Sequence, residues 1–411
     1  MKAIHLLPLA AALGTLSAHR APGQSRFATL YEIGGENPLG LAAANGSLYG
    51  TTSAVGQVGG NCGTVFELRP PATQGGAWTE TTLHAFTGLD GDGCVPVGPP
   101  GVGGGAVYGV TNVGGAFDCG AVYELQPPAT LGGAWTESVL YSFPTVAAFP
   151  FGVIIGQDGR IYVGTSGGGD GWGSLLQLNP PAAPGGTWTA LEFYSFPPSL
   201  STGGPSSLTM GPDGIFYGTI GFGGTAPTYA GAVFELKPPA TAGGDWIENI
   251  LYDFQGVRDG STPNSLTVAA DGTLYGTTFG TAVIDDRHGP YGVGTVFRLT
   301  PPPSPGVSWT KTTLAQLSVG DERGPDSPLI LRKGDLYGTS SSSGSIPGGL
   351  VFEIQPPATP GGDWTTTYLH KFDGETPGGA LVMDHDGTIY GATVAPQAER
   401  PSGTVYSMAP K

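Results

Sequence analysis

Seven copies of one segment occur along the chain, and this repetition limits the possible folds more than any other feature. The copies align on a tyrosine that recurs every 53 to 62 residues. A period in this range is typical of solenoids, propellers and arrays of small units. The seven aligned tyrosines are Tyr49, Tyr108, Tyr162, Tyr217, Tyr275, Tyr337 and Tyr390.

Each copy contains four strand-like runs separated by turn signals. In the fourth copy the runs are residues 206–210, 215–220, 232–237 and 246–254. Asp213-Gly214 separates the first two and predicts a two-residue hairpin, since a type I′ turn needs positive φ at both central positions. Equivalent pairs are Asn45-Gly46, Asp158-Gly159, Asp271-Gly272 and Asp386-Gly387. Without any helical periodicity, seven such copies predict an all-β, seven-bladed β-propeller with four antiparallel strands per blade.

The two ends of the repeat region predict how the ring closes. The seventh copy ends after residues 404–408 and lacks a fourth strand, whereas residues 27–33 match the fourth strand of the first copy. We therefore expect the N-terminal strand to complete the last blade, which leaves no exposed sheet edge between the ends. The propeller is predicted as one domain over residues 24–411, in repeats of about 57 residues. A string of separate small domains is the alternative.

The N-terminus and the net charge bear on location and partners. Lys2, the apolar run 3–16 and the small residues after it predict a signal peptide over about residues 1–20. A membrane anchor is the alternative, but the run is shorter than the ~20 residues that span a bilayer. The net charge of −16 argues against nucleic acid and anionic lipid as partners. We expect a monomer in the periplasm or outside the cell.

The repeated motifs resemble a known family. Leu-Tyr-Gly-Thr-Thr at 48–52, Gly-Thr-Val-Phe-Glu-Leu at 63–68, and Trp-Thr-Glu before a Leu-His-x-Phe strand are similar to the GloVer (Gloeo/Verruco) tandem repeat. The resemblance covers about residues 27–408 and is weakest in the third repeat, which has Leu175-Leu176-Gln177 in its third strand. It implies an exported bacterial protein with no established activity. Family members often carry a C-terminal anchoring signal; none precedes Lys411, which favours a released or periplasmic protein.

Residues that recur at one repeat position are expected to be structural. Six tryptophans are interpreted as packing residues near the rim of the blades, His84 and His370 as structural, and four glutamates as part of a solvated strand face. The tryptophans are Trp78, Trp135, Trp188, Trp246, Trp309 and Trp364, and the glutamates are Glu67, Glu124, Glu235 and Glu353. The glutamate position is Gln177, Arg298 and Ser407 in other repeats, which we interpret as tolerance of a surface site.

Three cysteines and one acidic loop are candidates for covalent or metal cross-links. Export permits a disulfide, and we predict Cys94 pairs with Cys119 because both belong to blade 2, with Cys62–Cys94 as the alternative. Asp90 and Asp92 alternate with glycines as in the start of a calcium loop, but the later glutamate is missing and such pairs are common turns. No cofactor is predicted beyond this weak calcium candidate.

Irregular loops are the candidates for ligand binding. Trp172 lies in the loop between strands two and three of blade 3, and blade 5 has an expanded loop at the same place. That loop contains Asp285, Asp286, Arg287, His288 and Tyr291. An exposed Trp172 could stack on a sugar or peptide; a loop that caps its own blade is the alternative interpretation.

Three functional classes follow. The first is a binding or scaffold protein that uses the loop face for a glycan or protein, with no intrinsic catalysis and no catalytic residues predicted. The second is a carbohydrate-active enzyme, a lyase or glycosidase, at the central funnel; a glycosidase needs two carboxylates about 5 to 10 Å apart. The third is a purely structural surface protein. Non-repeated ionisable residues that converge on the funnel would favour the enzyme.

Overall fold

The computed structural model describes most of the chain after residue 26. The described residues are 27–34, 37–53, 60–73, 75–130, 132–144, 148–167, 172–183, 186–197, 204–225, 229–241, 243–256, 259–280, 294–304, 306–317, 322–325, 327–342, 348–359, 361–394 and 402–409. Their regular structure consists of 29 β-strands, with no helix in these ranges. The predicted signal peptide and the segment 285–291 lie outside them.

The strands form seven antiparallel sheets that follow each other along the chain as the blades of a propeller. Blade 1 contains β2 (Asn37–Ala44), β3 (Ser47–Ser53), β4 (Thr64–Arg69) and β5 (Thr79–Ala85). Blade 2 contains β6 (Gly93–Gly103), β7 (Ala106–Gly114), β8 (Ala121–Gln126) and β9 (Thr136–Ser142). Blade 3 contains β10 (Pro150–Ile155), β11 (Ile161–Thr165), β12 (Ser174–Asn179) and β13 (Thr189–Ser195). Blade 4 contains β14 (Pro205–Met210), β15 (Phe216–Ile220), β16 (Ala232–Lys237) and β17 (Ile247–Asp253).

The remaining blades follow the same order, with two modifications. Blade 5 contains β18 (Ser261–Val268), β19 (Leu274–Gly280), β20 (Gly294–Thr300) and β21 (Thr310–Leu317). Blade 6 contains β22 (Glu322–Pro325), β23 (Ile330–Arg332), β24 (Asp335–Ser342), β25 (Gly348–Gln355) and β26 (Thr365–Asp373). Both β22 and β23 pair with β24, so they are one inner strand interrupted near Pro325 and Pro328, which cannot donate to the ladder. Blade 7 contains β27 (Thr376–Met383), β28 (Ile389–Val394) and β29 (Gly403–Met408), with β1 (Phe27–Ile33) as its fourth strand.

The predicted ring closure is confirmed. Strand β1 pairs antiparallel with β29, from Phe27 opposite Met408 to Ile33 opposite Gly403. The first and last strands of the repeat region therefore share one sheet, and the seventh blade has four strands like the others.

The hairpin turns differ in part from the prediction. Asn45-Gly46 has positive φ at both positions (51° and 79°) and is the two-residue turn expected. At Asp213-Gly214 only Gly214 has positive φ, and hydrogen bonds from Gly211 to Ile215 O and from Gly214 to Gly211 O close a longer loop. This is the three-residue hairpin with a glycine bulge, and the same pair of hydrogen bonds closes the corresponding loops of blades 3, 5 and 7.

The Tyr-Gly motif has a packing explanation. In six blades the glycine lies under the ring of the third-strand aromatic directly opposite it; a Cβ on Gly50 would lie 2.4 Å from Phe66 Cζ. Blade 3 carries Leu176 at the aromatic position and Val163 at the glycine position opposite it. One residue further along, Gly164 lies under the ring of Phe151 from the first strand, 2.2 Å from a hypothetical Cβ. The third repeat thus replaces the repeated ring–glycine pair with Leu176 and Val163, and forms a different ring–glycine contact next to it.

The hydrophobic core lies between blades, as predicted. The phenylalanine that follows the fourth strand of one blade meets the third-strand aromatic of the next, with ring centroids 5.1 Å apart for Phe86 and Tyr123 and 5.2 Å for Phe254 and Phe297. Edge-on aromatic pairs at such distances are attractive beyond their burial of apolar area. Each sheet is consequently covered on both faces by its neighbours.

The preferred disulfide prediction is wrong, and the alternative is present. Cys62 is bonded to Cys94 with a Cα–Cα distance of 4.7 Å, and Cys119 is a buried free thiol. Cys62 and Cys94 lie in the core between blades 1 and 2, whereas Cys119 lies in the core between blades 2 and 3. The sheet of blade 2 separates Cys94 from Cys119, so membership of one blade places them on opposite faces.

Candidate functional site

The loop face predicted to bind ligands is only partly described. Strands alternate in direction, so loops between second and third strands share one face with the connections between blades. Trp172 of that face is half-buried and packs against the core between blades 3 and 4. This contact agrees with the loop-capping interpretation. The segment containing Asp285, Asp286, Arg287, His288 and Tyr291 lies outside the described residues, so its role stays a prediction.

The structure does not bring the two carboxylates of the predicted calcium site together. Asp90 is exposed in a turn with φ of 54°. The carboxylate of Asp92 faces away from it: Oδ2 accepts hydrogen bonds from Thr87 N–H (2.6 Å) and Oγ1 (2.8 Å), and Oδ1 lies 3.1 Å from His84 Nε2. Calcium at Asp90 and Asp92 remains an untested prediction, and the side chains near Asp92 belong to a different cluster.

The centre of the ring contains a cavity of about 320 Å³. All seven blades contribute to its lining, and the described residues there include no Asp, Glu, His, Lys or Arg. Its hydroxyl and amide groups bridge adjacent blades: Ser206 Oγ donates to Pro263 O (3.1 Å), Asn264 Nδ2 to Pro325 O (3.0 Å) and Ser265 Oγ to Ser327 O (3.1 Å). These bonds hold the inner strands together around the cavity.

The four repeated glutamates are not on a solvated face, which corrects the prediction. All four are buried, with Glu67 only 3% exposed. Tyr108 Oη donates to Glu124 and Tyr337 Oη to Glu353, both at 2.8 Å. The prediction from strand alternation was wrong because the neighbouring blade covers this face of the strand. Burial and the Glu67 carboxylate raise the pKa of Tyr49 to about 12, so the phenol stays a donor at pH values where a free tyrosine ionises.

The repeated tryptophans pack between blades, as predicted. Trp188 of blade 3 lies edge-on to Tyr108 of blade 2 at 6.4 Å, and Trp78 of blade 1 lies against Tyr390 of blade 7 at 6.1 Å. Each is partly buried. Tyr108 is therefore enclosed by the glutamate of its own blade, Glu124, and by the tryptophan of the next blade.

Blade 5 departs from this arrangement and forms a groove that sequence reasoning missed. Arg298 occupies the glutamate position, is half-buried, and its Nε has no hydrogen-bond partner among the described residues. It lines a groove of about 760 Å³ with Thr312 and Thr313 of β21 and with Asp363 and Trp364 of blade 6. We call this the Arg298 groove. The sequence signal for this groove was the arginine itself. It stands at the glutamate position, which we wrongly interpreted as a surface site that tolerates substitution.

The chemistry of the Arg298 groove is that of a polar recognition site. Arginine supplies several N–H donors, Asp363 supplies acceptors, and threonine hydroxyls can do either. Trp364 adds an aromatic ring that is only partly buried. A concave surface with one aromatic and few polar groups is typical of small-molecule sites. The groove lies on the face opposite Trp172, because blade 6 contributes its loop between the third and fourth strands.

The described part of the chain contains no apolar helix long enough to cross a membrane.

Comparisons with known proteins support the repeat assignment. The model of the Gloeobacter/Verrucomicrobia repeat matches residues 35–283, more than half of the chain. A search of curated protein sequences found no match.

Solved structures resemble the whole ring. The polysaccharide lyase Uly1 matches with a TM-score of 0.50 and 10% identity over 96% of this chain and 94% of the lyase. Domains 1–2 of Drosophila Semaphorin 1a match with a TM-score of 0.50 and 11% identity over 92% of this chain and 87% of that chain. At such identities the likeness concerns the fold alone.

Proposed function

We propose a function from the premise that the chain belongs to the Gloeobacter/Verrucomicrobia repeat family: it is an extracytoplasmic binding scaffold whose rigid ring presents a recognition groove. The observation that carries the proposal is Arg298. Its Nε is buried without a hydrogen-bond partner among the described residues, at a position where four other blades bury a paired glutamate. An unsatisfied buried donor costs about 1–3 kcal/mol, and a ligand that supplies an acceptor recovers part of that cost.

The ligand that fits the groove best is a neutral glycan. Sugar hydroxyls both donate and accept, which suits a groove with Arg298, Asp363 and two threonines. The ring of Trp364 suits the apolar face of a sugar. The net charge of −16 disfavours a polyanionic partner through long-range repulsion.

The test combines a glycan array with a pull-down from cell envelope, using wild type and Arg298→Glu. This substitution restores the residue type found in other blades, so the variant should fold with the new carboxylate beside Tyr275, as Glu353 lies beside Tyr337. We expect at least tenfold weaker binding, in line with loss of charge-assisted hydrogen bonds. Arg160→Glu, a charge reversal on an exposed hairpin, is the matched control and should bind like wild type.

Two further variants locate the site if this proposal is wrong. Binding that survives Arg298→Glu but is lost in Trp172→Ala, or on removal of residues 283–291, would place the site on the opposite face. Absence of binding to every ligand tested would favour the purely structural role. Turnover of a polysaccharide would instead support the enzyme class.

A further inference from the structure

The outer strands of neighbouring blades meet at one repeated pair of positions. A residue near the end of the fourth strand faces a residue at the start of the fourth strand in the next blade. Tyr194 Oη donates to Glu248 Oε2 at 2.5 Å across blades 3 and 4, and His370 stacks on Phe27 at 3.8 Å across blades 6 and 7. We call this repeated contact the rim contact.

At the rim contact between blades 4 and 5 a lysine provides positive charge. Lys311 Nζ lies 2.7 Å from Asp259 Oδ1 and 5.8 Å from the centre of the Tyr252 ring. Tyr252 Oη also donates to Asp259 Oδ1 at 2.9 Å. The lysine side chain is only 5% exposed, so a buried cation compensates the aspartate.

At the rim contact between blades 1 and 2 the same three positions hold His84, Asp92 and Glu137. Glu137 occupies the position of Lys311, His84 that of Tyr252, and Asp92 that of Asp259. One ligand atom from each of the three lies within 4.8 Å of the others. Oε1 of Glu137 is buried without a hydrogen-bond partner among the described residues. Two carboxylates therefore converge where the other junction has a cation.

The electrostatics agree with this geometry. Burial raises the pKa of Glu137, and the Asp92 carboxylate raises it further against the opposing effect of His84. Among the described residues the cluster has no fixed cation comparable to Lys311, so it favours any cation that reaches it.

We propose that His84, Asp92 and Glu137 bind a divalent transition-metal ion of the Zn²⁺ class. One imidazole nitrogen and two carboxylate oxygens are a ligand set that such ions accept, with further positions open to water. Calcium and magnesium prefer oxygen ligands alone. Ligand atoms around a tetrahedral ion with bonds of about 2.1 Å lie about 3.4 Å apart, so a small rotation of the Glu137 side chain completes the set.

The surroundings of the cluster resemble a built metal site. Thr87 fixes the second oxygen of Asp92 through its N–H and its hydroxyl, the kind of outer contact that orients a metal ligand. The side chains of His84 and Asp92 are 24% and 15% exposed, so an ion can enter from solvent. A bound ion would join the outer strand of blade 1 to that of blade 2.

The test uses the untagged full chain, stripped with a chelator and titrated with Zn²⁺ in a calorimeter. We expect one bound ion that involves this cluster, and a Co²⁺ visible spectrum that changes when His84 is replaced by glutamine. Glu137→Gln should bind Zn²⁺ at least tenfold more weakly, and Glu137→Lys should abolish binding by reproducing the junction of blades 4 and 5. Glu248→Gln, at the equivalent position of blade 4, should bind like wild type.

The outcomes separate loss of metal from loss of fold. In chelator, Glu137→Lys should melt at or above the wild-type temperature, because it removes carboxylate repulsion. Wild type that binds no Zn²⁺ would overturn the proposal, as would a Glu137→Gln variant with unchanged affinity. Displacement of Zn²⁺ by equimolar Ca²⁺ would overturn the assignment to a transition metal.

Discussion

The junction of blades 1 and 2 and the junction of blades 4 and 5 are built from the same repeat positions but held by different chemistry. The backbone contact is identical: Val95 N–H donates to Cys62 O in one, and Thr262 N–H to Ala230 O in the other, both at 2.8 Å. The first junction also has the disulfide between Cys62 and Cys94. The second has no cysteine at these positions.

Charge is distributed in the opposite sense at the rim of these junctions. Blades 4 and 5 share the buried Lys311–Asp259 pair, whereas blades 1 and 2 bring Asp92 and Glu137 together beside His84. A cross-link and a charge pair are thus alternative ways to fasten two blades. The repeat specifies the backbone contacts of a junction, but the side-chain interactions that link the two blades differ from one junction to another.

Charge reversal at the second junction should have the largest effect. Lys311→Glu would leave Asp259 facing a second buried carboxylate with no disulfide nearby, and breaking a buried pair costs about 3–5 kcal/mol. Urea unfolding should show this loss. Arg160→Glu, which also breaks an ion pair but one whose two side chains are both 46% exposed, should cost less than about 1 kcal/mol. Equal losses in both variants would contradict the comparison.

Removing the disulfide between blades 1 and 2 should have the next largest effect on stability. The bond closes a loop with a sequence separation of 32 residues, for which chain entropy predicts about 3–4 kcal/mol. Cys62→Ala with Cys94→Ala should lower the free energy of unfolding by this amount under oxidising conditions. Cys119→Ala should leave the cross-link intact in non-reducing peptide maps. A map with Cys119 in a disulfide would show that the pairing described above is wrong.

The disulfide should also be transferable to the next junction. Cys119 occupies the repeat position of Cys62, and Ala148 occupies that of Cys94 in the core it shares with Cys119. The following residues, Val95 and Phe149, both have positive φ, at 59° and 47°. We therefore expect Ala148→Cys to bond with Cys119 and to stabilise the fold by up to about 3 kcal/mol. Two free thiols in oxidised protein would refute this.

The smallest effect concerns the second histidine at a rim contact. Burial lowers the pKa of His370, opposed by the Glu375 carboxylate. The folded state then binds fewer protons than the unfolded chain, so stability is complete above the unfolded pKa near 6.5 and falls as pH drops through it. His370→Phe preserves the stack on Phe27 and should reduce this loss between pH 7 and 5. Identical melting profiles of both proteins would exclude His370 as the cause.

The fold was predictable because its signals are local and occur seven times. Turn residues and strand periodicity identified the blades, and the unmatched strand at 27–33 identified the closure. Features that depend on a neighbouring blade were not predictable. Glu67 was assigned to solvent because strand alternation cannot show that the next blade covers it, and Cys94 was paired within its blade because the sequence does not show which face a residue occupies.

The candidate site was harder to predict than the fold. Arg298 was visible as an exception to the repeat, but its significance depends on knowing that its position is buried. Glu137 could have been identified by comparison with Lys311, since the two occupy one repeat position. The role of Glu137 as a candidate metal ligand becomes visible only with the third residue, Asp92. A connection between blades brings Asp92 to the rim contact.

The pairing of β1 with β29 also fixes when the molecule can finish folding. Ile33 and Gly403 are partners in this sheet, and about 370 residues lie between them. At synthesis rates of about 5–20 residues per second, the first strand waits on the order of tens of seconds for its partner. Until then β1 has unpaired edges and the ring remains an open array. Long-range closure of this kind is slow, so the last step of folding is also the step most exposed to aggregation.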